Sequence, residues 1–240
     1  MLRRVHTPRL RTGDIELDAA GARHVRDVLR LTEGTEVEVF DDAGAIANGV
    51  IVRCQASVVV HVEAISAMPE SATPALTIAS AVPKGERADW MVEKLSELGC
   101  TRFIPLAAAR SVVLPEGKNK LQRWNRIATE SAKQSRRRGV MRIDELTSVN
   151  AALDLAKSEN ARIVVLSTDP QASPLSSAPA ATFLFIGPEG GWTEQELELF
   201  QQRGATSAKL TDTVLRVETA AIVAAAIVLL PVPSPLEGEG

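Results

Sequence analysis

The run Phe183-Leu-Phe-Ile-Gly187-Pro188-Glu189-Gly190-Gly191-Trp192-Thr193 constrains the fold more than any other part of the chain. An aromatic and β-branched stretch stops in a turn with three glycines, and a helix start follows at once. A strand that ends this way leaves bare backbone where a ligand approaches closely. Phosphate is a poor match. A phosphate loop uses free N–H groups and a lysine, in G-x-x-x-x-G-K-[ST]. Here Pro188 lacks the donor, Glu189 adds negative charge, and no lysine follows. The G-x-G-x-x-G spacing of a dinucleotide fold is also absent. A neutral ligand remains, or one that is cationic near Glu189, such as a sulfonium. The competing reading is a strand-to-helix turn whose glycines serve geometry alone.

The rest of the chain divides by pattern. Residues 1–66 read as mostly β, with short β-branched runs at 35–40, 46–52 and 57–62 and turn chemistry at Asp41-Asp-Ala-Gly44. One helix interrupts them, with Ala22, Val25, Val28 and Leu29 at helical spacing and Asp18 as N-cap. This is a small barrel-like module, ending in a linker with two prolines at 68–74. From Ala75 onward strands and helices alternate. Strands are expected at 76–82, 102–106, 162–166, 182–186 and 208–210. Helices are expected at 88–98 (Met91, Leu95 and Leu98 on one face, Gly99 at C′), 120–138, 151–157 and 219–230. Another runs from the capping box Thr193-Glu-Gln-Glu196 to Gly204. Such alternation argues for an α/β domain with a mainly parallel sheet. The segment 231–240, rich in Pro, Gly and Glu, has no periodicity.

The net charge of −3 hides a one-sided distribution. From Lys118 to Arg142 the bases include Arg123, Arg126, Lys133, Arg136, Arg137 and Arg138, against the single acid Glu130. A second cluster holds Arg3, Arg4, Arg9 and Arg11. Clustered bases fit a phosphate backbone; a solvated helix face is the alternative. The two cysteines, Cys54 and Cys100, lack metal or redox spacing and read as free thiols of a cytoplasmic protein. No secretory leader is expected, and the longest apolar run, 219–230, is too short to span a bilayer.

The three histidines, His6, His24 and His61, all lie in the N-terminal module, and there is no tyrosine. Acid–base chemistry in the α/β domain therefore falls to Asp, Glu, Lys or Arg. A Ser-His-Asp triad within that domain is excluded, and no metal site is expected there. Positioning chemistry survives, with a cofactor carrying the reactive group. Methyl transfer from S-adenosylmethionine is such a reaction.

These residues also resemble a known family. Ile186-Gly-Pro-Glu-Gly-Gly191 and Leu215-Arg216-Val-Glu218-Thr219-Ala220 match two signatures of the ribosomal RNA small-subunit methyltransferase E family of the SPOUT superfamily. Lys84-Gly-Glu-Arg87, Lys94-Leu-Ser-Glu-Leu-Gly99, Arg110-Ser-Val-Val113 and Gln134-Ser135 match as well. The likeness covers nearly the whole chain. It implies a PUA-like β-barrel at residues 1–68, a linker at 69–74, and a trefoil-knotted SPOUT domain with a parallel sheet at 75–231, followed by a loose tail at 232–240. It implies S-adenosylmethionine as cofactor, N3 of a 16S ribosomal RNA uridine as target, a homodimer, and cytoplasmic work on the small subunit.

The resemblance also implies site residues. Three loops would hold the cofactor: Leu166 and Ser167; Ile186, Gly187, Gly190 and Gly191; and Leu210, Leu215, Thr219 and Ala220. Arg216 would stabilise charge on a uracil oxygen, with Glu189 or Glu218 as proton acceptor. Arg3, Arg4, Arg110, Arg136, Arg137 and Arg138 would meet RNA. The chain departs from the family pattern at Thr211-Asp212-Thr213, where Gly-x-Arg is usual, and at Lys133 and Arg136, beside Gln134-Ser135. Two other readings stay open: a SPOUT methyltransferase acting on another ribosomal or transfer RNA position, and an inactive RNA-binding relative.

Overall fold

The computed structural model describes residues 2–66, 74–115, 117–177 and 180–229. Two compact units divide the chain. The first takes in Met1–Glu70 and Thr129–Met141, the second Ser71–Ala128 and Arg142–Gly240. The expected linker falls almost wholly outside the described residues, as does the tail.

The first unit is a five-stranded mixed sheet, ordered β1-β3-β4-β5-β2. Its strands are β1 (Arg3–His6), β2 (Gly13–Glu16), β3 (Glu36–Phe40), β4 (Ile46–Cys54) and β5 (Val58–Val62). β1 runs parallel to β3; the other pairings are antiparallel. Val5, Ile15, Val37, Val39, Ile51, Val60 and Val62 pack one core. β1 and β2 were not expected. They are four residues each and carry too few apolar positions to stand out.

Asp18 caps α1 (Ala19–Arg23) as expected, its carboxylate accepting from the Gly21 amide at 2.6 Å. The helix then widens into a π-turn over His24–Val28, with Leu29 N donating to His24 O. A π-turn shifts the angular spacing of side chains. Ala22 and Val25 stay buried, but Val28 is 64% exposed and Leu29 half-buried, so the fully buried part of the expected apolar face ends at Val25.

The second unit is built on a parallel sheet, ordered β11-β13-β10-β12-β6-β7-β8, with β9 beside β7. Its strands are β6 (Leu76–Ser80), β7 (Arg102–Ala107), β8 (Arg142–Ile143), β9 (Thr147–Ser148), β10 (Arg162–Leu166), β11 (Ser173–Pro174), β12 (Thr182–Ile186) and β13 (Thr206–Lys209). Every pairing in it is parallel. The central strands β6 and β12 are buried at every position, which is why they read as unbroken apolar runs. Helices α2 (Glu86–Leu98), α4 (Val149–Ser158), α5 (Glu194–Gln202) and α6 (Val217–Leu229) cover the faces. Gly99 closes α2 at φ 101°, as its position predicts, though Leu98 is 38% exposed rather than inward. α6 packs on α2, β6 and β12 through Ala221, Ala224 and Ala225, small enough for close approach.

α3 spans Lys118–Gln134, starting two residues before and ending four residues before the limits its pattern suggests. Arg136 takes φ +56° and ends it, so Arg136, Arg137 and Arg138 sit in a turn rather than along a helix. Among the described residues no helix is long and apolar enough to cross a membrane.

Candidate active site

Because the strands of the second unit are parallel, β13, β10, β12, β6 and β7 all end on one edge. Ligands of open α/β sheets bind at this carboxyl edge. Hydrogen bonds tie the emerging loops together. Ala81 N donates to Ile186 O at 2.9 Å, joining the β6 and β12 exits. Ser167 N donates to Ala208 O at 2.9 Å, joining those of β10 and β13. Trp192 Nε1 donates to Leu166 O at 3.4 Å, drawing the glycine turn toward the β10 exit. Topology thus gathers Leu166, Ser167, Ile186, Gly187, Gly190, Gly191, Leu210 and Leu215 at one edge. At the extremes, Leu166 and Leu215, they are 49 positions apart in the chain.

The glycine turn is braced from behind. The Cβ that Gly187 lacks would lie 3.0–3.2 Å from the Trp192 ring. Trp192 stacks edge-on against Phe200, with centroids 4.8 Å apart, and Phe200 in turn meets Phe185. Arg110 crosses Gly190, donating to its carbonyl at 2.8 Å. Gly191 adopts φ +69° with open space where a side chain would point. Packing therefore explains Gly187 and Gly190, while Gly191 keeps the bare backbone expected of a ligand-facing turn.

Glu196 locks the turn to its neighbours. Its Oε2 accepts from Thr193 N at 2.8 Å in the expected capping box, and its Oε1 accepts from Ala109 N at 2.9 Å. The carboxylate so joins the β12 and β7 exits. Arg110, expected to meet RNA, is the exposed residue that follows Ala109 and clamps the turn.

The segment from β13 to α6 is looser. Thr211, Asp212, Thr213, Val214 and Arg216 are exposed, and Val214 is 81% so. Where the family pattern is broken, Thr211 Oγ1 donates to Thr213 O at 2.7 Å. Lys209 Nζ reaches Asp212 at 2.9 Å and Pro170 O at 3.0 Å. That ammonium holds the Asp212 carboxyl below the usual carboxylate range.

The two candidate carboxylates differ sharply. Glu189 is exposed at the tip of the turn. Glu218, in the first turn of α6 with Thr219 and Ala220, is buried, its side chain 6% exposed. Its Oε1 lies 3.4 Å from Arg87 Nη1, and its Oε2 has no hydrogen-bond partner among the described residues. A buried carboxylate oxygen without a donor is rare, because its desolvation goes uncompensated. Arg216 stands at the start of the same helix, its carbonyl accepting from Ala220 N at 2.8 Å.

In the first unit the basic residues separate into two kinds. Arg4 is buried, so it is not a base available to RNA. Its Nε lies 2.5 Å from Glu38, its Nη1 donates to Ala132 O and Arg137 O, and its guanidinium covers the Phe40 ring at 4.2 Å. Burial lowers its pKa and the Glu38 carboxylate opposes that. Burial separates the neighbours: Arg4, on the face of β1 opposite the core residue Val5, is covered by Phe40 and by contacts with Ala132 and Arg137, while Arg3 at the strand's start is exposed. Arg136 and Arg138 are exposed and Arg137 half-buried, in the turn that lies against Asp42 and Gly44. The first unit thus holds Arg3, Arg4, Arg9 and Arg11 together with Lys133 and Arg136–Arg138, while Arg123, Arg126 and Arg142 belong to the second.

Three contributors escaped the sequence reading: Arg87, Trp192 and Glu196. Trp192 and Glu196 sit inside the motif already singled out, and Arg87 closes the Lys84-Gly-Glu-Arg87 match. Their roles depend on partners 26 to 131 positions away.

Comparison with known proteins agrees with this architecture. The family model for an RNA methyltransferase domain matches residues 69–229. A ribosomal RNA small subunit methyltransferase E of Synechocystis is 32% identical over 88% of this chain and 71% of its own. One from Bacillus subtilis is 36% identical over 61% of this chain and 62% of its own. The crystal structure of the Neisseria gonorrhoeae enzyme, bound to S-adenosylmethionine, is 27% identical and superposes with a TM-score of 0.82, covering 94% of this chain and 96% of that one. On sequence and fold together, this chain belongs to the ribosomal RNA small subunit methyltransferase E family.

Proposed function

We propose that the chain is a methyltransferase that uses S-adenosylmethionine to methylate N3 of a uridine in 16S ribosomal RNA. The observation that carries this is the braced glycine turn at the carboxyl edge, set beside a buried carboxylate with a free acceptor oxygen. The residues suit the cofactor. Gly191 leaves backbone open to an adenosine, and the negative charge of Glu189 and Glu218 suits a sulfonium. When bound, S-adenosylmethionine supplies an electrophilic methyl group.

The chain's own groups would do the rest. Leu166, Ser167, Ile186, Gly187, Gly190, Gly191, Leu210, Leu215, Thr219 and Ala220 hold the cofactor, largely by backbone. Arg216 donates to a uracil oxygen as negative charge builds on the ring. Glu218 Oε2 takes the proton that leaves N3 as the ring nitrogen gains its methyl. Glu218 is preferred to Glu189 because it is buried and its Oε2 has no donor among the described residues, whereas Glu189 lies exposed. Arg3, Arg136, Arg137 and Arg138 in the first unit meet the RNA backbone, and Arg110 combines its clamp on the turn with RNA contact.

The reading extends to a C-terminal knot, a homodimer and work in the cytoplasm. The chain leaves β13 beyond β10, then returns as α6 over β12 and β6, the path a threaded segment needs. The exposed Val112, Leu114 and Val214 are apolar surface that a second copy could cover.

The test is methylation of small subunits from cells lacking the gene, followed by mass spectrometry of the nucleosides. The expected product is 3-methyluridine at one position. A different methylated nucleoside would favour another target, and no product despite cofactor binding by calorimetry would favour an inactive relative.

A further inference from the structure

Arg87 lies in the first turn of α2, just past the β6 exit, and Glu218 lies in the first turn of α6. The two helices pack together, and their N-termini meet the same carboxyl edge. Arg87 is 42% exposed at the side chain against 6% for Glu218. The cation thus reaches from the surface to a carboxylate that water barely touches.

The contact is one-sided. Arg87 Nη1 faces Glu218 Oε1 at 3.4 Å, and Oε2 is left with no donor among the described residues. A guanidinium can bind both oxygens of a carboxylate in parallel, and a pair that serves only to brace two helices gains most that way. A buried pair with one oxygen unsatisfied is a poor brace, because an apolar pair of similar volume would hold the helices at least as well. The arrangement instead fixes the carboxylate by one oxygen and leaves the other free for an incoming donor.

We infer that Arg87 is a positioning residue, which holds Glu218 oriented so that Oε2 meets the substrate uracil; this rests on the proton-acceptor reading of Glu218. Arg87 itself touches no reacting atom. It acts through Glu218, and its removal should slow turnover without weakening cofactor or RNA binding.

The experiment is a double-mutant cycle on the full chain, with methylation of small subunits as readout. Arg87→Ala should lower kcat about 10- to 100-fold, the scale of a misplaced catalytic group. S-adenosylmethionine affinity by calorimetry and KM for subunits should stay within about twofold. Arg87→Lys should regain most of the rate by restoring the charge. Arg87→Ala/Glu218→Gln should be no slower than Glu218→Gln alone, since both act through one group. A wild-type kcat in Arg87→Ala overturns the inference, as do multiplicative losses in the double variant or a loss confined to cofactor affinity. Should Arg87→Ala fail to fold, Arg87→Gln reads the same quantity with a donor of similar length. Wild-type turnover in Glu218→Gln would remove the proton-acceptor reading itself. A slow Glu218→Gln beside a fast Arg87→Ala would remove Arg87 alone.

Discussion

The turn at Gly187–Thr193 and the segment at Leu210–Arg216 leave the same edge of one sheet, yet they are held in different ways. Groups from four places fix the turn: Trp192 fills the space beside Gly187, Arg110 crosses Gly190, Glu196 ties Thr193 to Ala109, and Phe200 backs the indole. The β13–α6 segment is held mostly by its own neighbours, through Thr211–Thr213 and Lys209–Asp212, and is exposed at most positions. A preformed turn can bind a ligand without the cost of ordering backbone, whereas an exposed segment can adjust to what arrives. Under the proposed function the turn would be the rigid wall of the cofactor site, while Arg216 and Glu218, on the looser segment and the helix start behind it, would serve the substrate.

The strongest way to break that assignment is Arg216→Ala. Methylation should fall about 100- to 1,000-fold, the loss seen when one charge-stabilising donor is removed. Cofactor affinity by calorimetry should remain near wild type. A parallel loss of affinity would place Arg216 in the binding element instead.

Glu196→Ala attacks the turn from its other side. It strands the Thr193 and Ala109 amides, which should cost about 1–3 kcal/mol of stability in denaturant unfolding. An unchanged midpoint would mean that the turn does not depend on this lock.

Gly187→Ala sets a methyl against the Trp192 ring. Overpacking of this kind costs about 1–3 kcal/mol, so cofactor binding should weaken about tenfold or more while kcat at saturation changes little. Equal affinity would show that Trp192 can yield, and that the brace is slack.

Lys209→Met should have the smallest effect. The Lys209–Asp212 pair is solvent-exposed on the Asp212 side, where water and salt screen the attraction. Turnover should stay within about threefold, since a screened surface pair holds the segment weakly. A larger loss would mean the segment is held more tightly than its exposure implies.

Legibility in the sequence followed burial. β10 and β12 match their expected limits at Arg162–Leu166 and Thr182–Ile186, because strands covered on both faces carry an unbroken apolar signal. The Thr193–Glu196 capping box and the Gly99 stop are local chemistry and could be read locally. β1 was missed, and with it the long-range contacts that bury Arg4 and leave Arg3 exposed. The end of α3 was misplaced because Arg136 adopts a left-handed conformation with no glycine to announce it. The exposure of Val28 follows from one i→i+5 hydrogen bond, which composition does not specify.

By itself the sequence determined the alternation that makes a parallel α/β unit, the turn and caps that end its strands, and the family signatures. It placed the candidate groups on three segments. Tertiary structure decided what each group does. Gly187 and Gly190 answer to Trp192 and Arg110, Arg4 serves Glu38 and the interior, and Glu218 is buried with one oxygen free while Glu189 lies in solvent. The physical reason is range. Propensity, capping and turn chemistry act over a few residues, but desolvation and hydrogen-bond satisfaction are set by whatever the fold brings alongside. For Glu218 that neighbour is Arg87, 131 positions away.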